Sequence, residues 1–207
     1  MNYTNNKRLF AMKALIILSN PQSEASFCGA IASTAANVLR AAGAEVIVHD
    51  LYAENFDPNL TTEELKKSLD ELDGSIRKSI DELLASDVLV FVHPNWWGMP
   101  PANMVGWISR VVRQGVCYRF TEKGPEGFLG GKKTFVFTTA NTPADIEEKF
   151  NHDPIRNLWT NIIANTVNLD DVTYVNFTSI ILSDDQQRKA WLEEVKTIVS
   201  NVVKKAE

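Results

Sequence analysis

The chain has 207 residues, 44% hydrophobic and 23% charged, with a formal net charge of -5. That length supports one sizeable core and leaves no linker between two, and the acidic balance gives no electrostatic footprint for nucleic acid. Cys28 and Cys117 stand far apart with no partner at zinc-ligand spacing, and no apolar run reaches the roughly 18 residues that span a bilayer, so a cytoplasmic protein with reduced thiols is expected.

Residues 1 to 12 lack the apolar stretch of a signal peptide and read as a flexible N-terminal extension, with 13 to 207 as a single domain. Lys13 to Ser19 is a nearly continuous apolar run closed by Asn20 and Pro21, the pattern of a strand buried on both faces. Ile31, Ala35, Val38, Leu39 and Ala42 then recur at helical spacing before Gly43, a natural C-terminal cap. Glu45 to Asp50 reads as the second strand. Thr61 and Glu64 form a capping box opening a helical stretch to about Ala85, which Gly74 divides in two.

Val88 to His93 is the third strand and runs into a loop, Pro94 to Gly98, before a helix from about Pro101 to Val112. A glycine-rich, charged loop continues through Gly131. Lys133 to Thr139 is the fourth strand, Ile155 to Asn165 is helical, and Val172 to Phe177 is the fifth strand. The last helix starts at Ser183 with Gln186 completing a capping box, and it carries Trp191, Val195, Ile198 and Val202 on one face.

Five buried strands alternating with helices imply an α/β fold: a doubly wound, five-stranded parallel sheet in the order 2-1-3-4-5, with helices on both faces. Ligands of such sheets bind outside the carboxyl ends of the strands at the topological switch point, here between strands one and three. The site therefore draws on the loops after Ser19, His93 and Thr139. The first offers hydroxyls and backbone amides at a helix start, suited to a phosphate, or else Ser26 merely caps the helix. The second places Trp96 and Trp97 where a planar ring can lie, although paired tryptophans also serve as core packing. The third, Thr138 to Pro143, adds hydroxyl and amide groups or forms a simple Asx or Pro turn.

The segment HPNWWGMPPANMVGWISRVV, followed by QGVCYRF, resembles the signature region of the flavodoxin-like NAD(P)H:quinone oxidoreductase family. Its Pro94, Trp97, Gly106 and Trp107 carry the most specific part of the match. SNPQSEASF, DLYAENFDP and GGKKTFVFTTANTP extend it over most of Lys13 to Val199. The resemblance implies a bound FAD or FMN, with FAD slightly favoured, reduced by NADPH or NADH. It implies ping-pong, two-electron transfer to a small quinone-like or nitro acceptor, and a homodimer whose interface completes each active site.

Carried over by position, Asn20, Ser26, Phe27 and Cys28 would lie along the flavin phosphate, and Pro94, Asn95, Trp96 and Trp97 along the isoalloxazine. Thr138, Thr139, Ala140 and Asn141 would face the same ring. Tyr118 and Phe120 would reach the partner's substrate pocket, and His152 would stabilise reduced flavin unless it is an exposed loop histidine beside Asp153. Ala140-Asn141 stands where the family has Gly-Gly, Val105 where lysine is frequent, and Cys28 where asparagine is usual. A flavin-binding electron-transfer or redox-regulatory protein is the alternative; the chain length and the loop from Gly115 to Gly131 favour the enzyme.

Overall fold

The structure, a computed structural model, describes residues 12–203 without the side chains of residues 150, 151, 202 and 203. The expected N-terminal extension, apart from Met12, and the expected core position Val202 therefore lie outside what is described. Met12 belongs to the packed region: its carbonyl accepts a hydrogen bond from the Glu45 amide at 2.8 Å.

Five strands form one parallel sheet: β1 (Lys13–Leu18), β2 (Glu45–Asp50), β3 (Val88–Pro94), β6 (Lys133–Thr139) and β7 (Asp171–Phe177). Their order is β2-β1-β3-β6-β7, the expected 2-1-3-4-5 arrangement when only this sheet is counted. A separate antiparallel pair, β4 (Tyr118–Thr121) and β5 (Gly124–Gly127), supplies the two intervening numbers. β3 is buried at every residue, as its uninterrupted apolar run requires of a central strand.

Alternate side chains of the strands feed two cores. Ala14, Ile16, Leu18, Val90, Val92, Phe135 and Phe137 pack against Ile31, Ala35 and Leu39 of α1 (Phe27–Ala41) and against Val195 and Val199 of α8 (Asp185–Val203). Leu15, Ile17, Leu89, Phe91 and Val136 pack on the other face, against Ile76, Ile80 and Leu83 of α3 (Gly74–Ala85) and Met104, Trp107 and Val111 of α4 (Ala102–Val111). At about 2 kcal/mol for each fully buried aliphatic side chain, these two layers dominate the favourable side of folding.

Several local expectations are corrected. Third-strand pairing runs one residue past His93, to Pro94 opposite Thr139. The loop expected between Gly115 and Gly131 contains the β4–β5 hairpin, pairing Tyr118 with Gly127 and Phe120 with Pro125. Glycine and proline in β5 hid it, since neither fits an alternating strand pattern. α2 (Thr62–Lys66) has only half of its capping box: the Glu64 amide donates to Thr61 Oγ1 at 3.1 Å, while the Glu64 carboxylate turns to Arg110. The last helix is capped one residue later than expected, its Gln187 amide donating to Asp184 Oδ1 at 2.7 Å. Ser183 instead donates its hydroxyl to the Ile180 carbonyl at 2.7 Å.

The fourth crossover holds more helix than the sequence suggested. α5 (Ala144–Asn151) precedes a continuous helical run made of α6 (Pro154–Asn157), a π-helical segment (Leu158–Ile163) and α7 (Ala164–Val167). Ile155, Trp159, Ala164 and Val167 are its buried residues.

Candidate functional site

At the carboxyl edge of the sheet, hydrogen bonds tie the ends of neighbouring strands together. The Ser19 amide donates to the Val92 carbonyl at 2.9 Å, and the Asn95 amide donates to the Thr139 carbonyl at 2.7 Å. Cys28 Sγ lies 3.3 Å from Thr139 Oγ1, joining α1 to β6. The three loops expected to build a site are therefore held on one edge, at the switch point where β2 and β3 flank β1.

The first loop folds across the start of α1. Ser26 Oγ accepts the Gly29 amide at 3.1 Å, a helix cap, and Asn20 Oδ1 accepts the Gln22 amide at 2.9 Å. A methyl group at Gly29 would meet the Ser23 carbonyl oxygen, so only glycine lets the loop lie this close. The Phe27 ring is not turned to the loop; it packs on Phe177 and Trp191 with centroids 5.9 and 5.7 Å away. Burial pushes the Cys28 thiol up, which keeps it protonated. The helix start thus offers backbone amides rather than reactive side chains. At the end of β1 the buried Ser19 hydroxyl has no hydrogen-bond partner among the described residues.

The second loop is a tight turn. Trp96 and Met99 exchange both backbone hydrogen bonds at 3.0 Å, and the residues between them, Trp97 and Gly98, have φ of 59° and 73°. Two positive φ values define a type I′ turn, in which a bulky side chain is out of place. Trp97 nevertheless occupies it with 96% of its surface exposed, beside Trp96 and Met99, which are also exposed. A methyl at Gly98 would come within 2.9 Å of Pro154 Cγ. The turn therefore leans on the start of α6, and the 152–154 segment sits next to it.

Asn95 braces this turn: Oδ1 accepts the Gly98 amide at 2.9 Å and Nδ2 donates to Glu147 Oε1 at 3.1 Å. Below it, buried His93 accepts the Trp159 indole N–H on Nε2 at 3.0 Å, with Nδ1 2.9 Å from the Pro94 carbonyl. Burial drives the His93 pKa down to about 4, so the ring is neutral at physiological pH.

In the third loop, Thr138 faces inward, its Oγ1 3.0 Å from Asn176 Oδ1 and 3.2 Å from the Tyr174 hydroxyl. Ala140 is buried, and its amide and carbonyl are engaged by Phe177 and Ile180. Asn141 is exposed, with Oδ1 accepting the Ile181 amide at 3.2 Å. His152 is exposed and left-handed at the end of α5, and Asp153 after it accepts the Tyr174 hydroxyl at 3.0 Å.

Tyr118 and Phe120 are not brought to this edge. Their hairpin is anchored at the amino end of the sheet, where the Leu129 amide donates to the Val167 carbonyl at 2.9 Å and Lys133 pairs with Asp171. The two rings pack edge to face at 5.6 Å, with Phe120 63% exposed. Among residues the sequence did not point to, Glu147 lies on a helix it did not reveal, and Trp159 was indistinguishable from ordinary core packing. Among the described residues no cluster of metal-ligating side chains occurs, and no helix is long and apolar enough to cross a membrane.

Residues 12–199 match the model of a family described by its flavodoxin-like fold. An NAD(P)H oxidoreductase of Haemophilus influenzae, itself uncharacterized, is 33% identical over 88% of this chain and 91% of its own length. An FMN-dependent NADH:quinone oxidoreductase of Pseudomonas fluorescens is 30% identical over 86% of this chain and 92% of its own. The crystal structure of Smu.1420 from Streptococcus mutans superposes with a TM-score of 0.80 at 31% identity, covering 92% of this chain and all of that one.

Proposed function

Since the chain belongs to the flavodoxin-like NAD(P)H:quinone oxidoreductase family and is an oxidoreductase, we propose that it is an FMN-dependent quinone or nitro-compound reductase of the cytoplasm. FMN replaces the FAD slightly favoured by the sequence because the Pseudomonas relative is named for FMN. The same name makes NADH the first donor to test. The observation that carries the reading is Trp97, a large aromatic held almost fully exposed in left-handed backbone at the switch-point edge. Strain of this kind is sustained by surrounding structure and concentrates at functional sites.

The residues present fit a flavin. The capped start of α1 offers amides suited to a phosphate, a buried Ser19 hydroxyl at the end of β1 is without a partner among the described residues, and the Trp turn adds an unpacked aromatic face. When bound, the flavin supplies the two-electron hydride chemistry. The 20–28 segment would hold its phosphate through Ser26 and the Phe27 and Cys28 amides. Pro94 to Trp97 would lie along the ring and exclude water from one side. Ala140, whose backbone groups are already paired, would offer only its methyl, while Thr138 and Thr139 would support the loop from below. Exposed His152, close in sequence to Pro154, which abuts Gly98, would stabilise reduced flavin by a hydrogen bond to the developing negative charge.

Donor and acceptor would use the same face in turn, a ping-pong cycle. The remoteness of Tyr118 and Phe120 from their own chain's edge supports a homodimer in which each hairpin encloses the partner's acceptor pocket. The test is the absorption spectrum of the purified protein, with released cofactor identified by mass, then anaerobic NADH or NADPH and finally menadione. A yellow protein that bleaches with reductant and turns over menadione is expected. A protein that takes up neither FMN nor FAD refutes the reading, and one that binds flavin without menadione turnover refutes the reductase.

A further inference from the structure

We propose that Glu147 is a positioning residue of the site, holding the Trp97 turn in its left-handed form through the Asn95 side chain; this rests on the flavin-reductase reading. Glu147 lies on α5 and is 4% exposed, and its Oε1 accepts from Asn95 Nδ2 at 3.1 Å across 52 residues of sequence. The other end of the same amide accepts the Gly98 N–H at 2.9 Å. The orientation of that amide is forced. The Gly98 N–H is only a donor, so the Asn95 oxygen must face the glycine, which leaves its nitrogen to the Glu147 carboxyl.

A carboxylate withdrawn this far from water is unfavourable unless its hydrogen bonds are good, and a packing role alone would be served better by an apolar side chain. What the contact adds is a side-chain constraint on a turn whose other ties are the Trp96–Met99 backbone pair and the approach of Gly98 to Pro154. The Trp97 side chain packs on almost nothing, yet its backbone sits in a region that costs a non-glycine residue roughly 1–2 kcal/mol. Besides the paired amides of Trp96 and Met99, the Asn95 bridge to Gly98 is the hydrogen bond that closes the turn. A side chain able to rotate would release it. Glu147 removes that freedom by engaging the other end of the amide, so the aromatic platform is set before any ligand arrives.

The proposal is tested by exchanging the polarity of the pair. In Asn95→Asp two carboxylates meet and the donor to Glu147 is lost. In the double variant Asn95→Asp with Glu147→Gln, the introduced carboxylate accepts from both the Gly98 N–H and the new side-chain amide, so both hydrogen bonds return. FMN affinity, the exchange protection of the Gly98 amide by NMR, and the thermal midpoint are read for each corner of the cycle, Glu147→Gln included. Asn95→Asp is expected to weaken FMN binding roughly tenfold or more and to expose the Gly98 amide, because like charges in contact cost at least the ~1.4 kcal/mol that a factor of ten represents. Adding Glu147→Gln should recover most of that loss, while the same change in the parent chain gives no gain.

If the double variant is no better than Asn95→Asp, or if Asn95→Asp lowers only the thermal midpoint and leaves FMN affinity and Gly98 unchanged, Glu147 is a fold-stabilising residue and the proposal fails. Should the parent protein bind no flavin, the flavin reading fails, and the Gly98 amide alone still decides whether Glu147 sets the turn. If Asn95→Asp does not fold, Glu147→Ala reads the same contact from its other partner by the same measurements.

Discussion

His93 makes the stability of the fold sensitive to mild acid, and the sign follows from which state takes up the proton. In the folded chain the imidazole is fully buried between Trp159 and the Pro94 carbonyl, with a pKa near 4; in the unfolded chain it returns to about 6.5. Between those values the unfolded state binds a proton that the folded state refuses. Stability is therefore full above pH 6.5, falls as pH drops through 6.5, and stops falling from this source near pH 4. At about 1.4 kcal/mol per pKa unit the ceiling is about 3 kcal/mol, of which about 2 kcal/mol is lost between pH 7.5 and pH 5. Urea unfolding at those two pH values, for the parent and for His93→Gln, isolates the contribution. Gln keeps an acceptor for the Trp159 indole but does not titrate, so any constant packing cost cancels in the difference between pH values. The parent should lose about 2 kcal/mol more than the variant on going to pH 5. Equal losses in the two proteins would refute the assignment of a neutral, titration-resistant His93.

Trp97→Ala should leave folding stability within about 0.5 kcal/mol of the parent, since an exposed side chain is removed, yet weaken flavin retention sharply; Trp191→Ala should cost about 3 kcal/mol of stability through lost contact with Phe27 and Phe177. Denaturant titration and flavin release on dilution distinguish the two, and similar flavin loss in both would undermine the site. Glu64→Ala leaves Arg110 and Arg113 without the carboxylate they bracket at 2.6 and 3.4 Å, and should cost about 3 kcal/mol in urea unfolding. Gly98→Ala confronts a positive φ and Pro154 Cγ together, so a loss of about 2 kcal/mol and lower FMN affinity are expected, measured by the same titrations.

The sheet was legible because buried parallel strands are written as apolar runs, which β1 and β3 keep over Ala14 to Leu18 and Val88 to Val92, while β6 shows it as β-branched and aromatic residues. Its order came from topological rules rather than from any residue. The β4–β5 hairpin was not legible, because Gly124, Pro125 and Gly127 carry no alternation. α5 is not legible because it spans only 8 residues, too few turns for a helical period to stand out, and buries a glutamate rather than an apolar side chain at Glu147. At the site, position could be inferred but orientation could not. Sequence placed Thr138, Phe27 and Asn95 at the carboxyl edge of the sheet, while only the folded chain shows Thr138 turned inward, the Phe27 ring in the α1–α8 core, and the Asn95 amide engaged at both ends. A one-dimensional pattern encodes which face a residue belongs to. It does not encode which partner arrives from 52 residues away.

The π-helical segment after α6 carries an implication for how the length of this chain can change. Buried positions along that run step by four residues from Ile155 to Trp159, by five to Ala164 and by three to Val167. An α-helix keeps one face by steps of three and four, and the step of five marks a surplus residue absorbed as a wider turn. Removing any one exposed residue between Trp159 and Ala164 would convert the five into a four, straighten the hydrogen-bond ladder and leave all four buried side chains on the same side. Removing one between Ile155 and Trp159 would instead swing Trp159 about 100° around the axis, away from His93. Within a single helix, then, shortening by one residue is benign on one side of Trp159 and disruptive on the other.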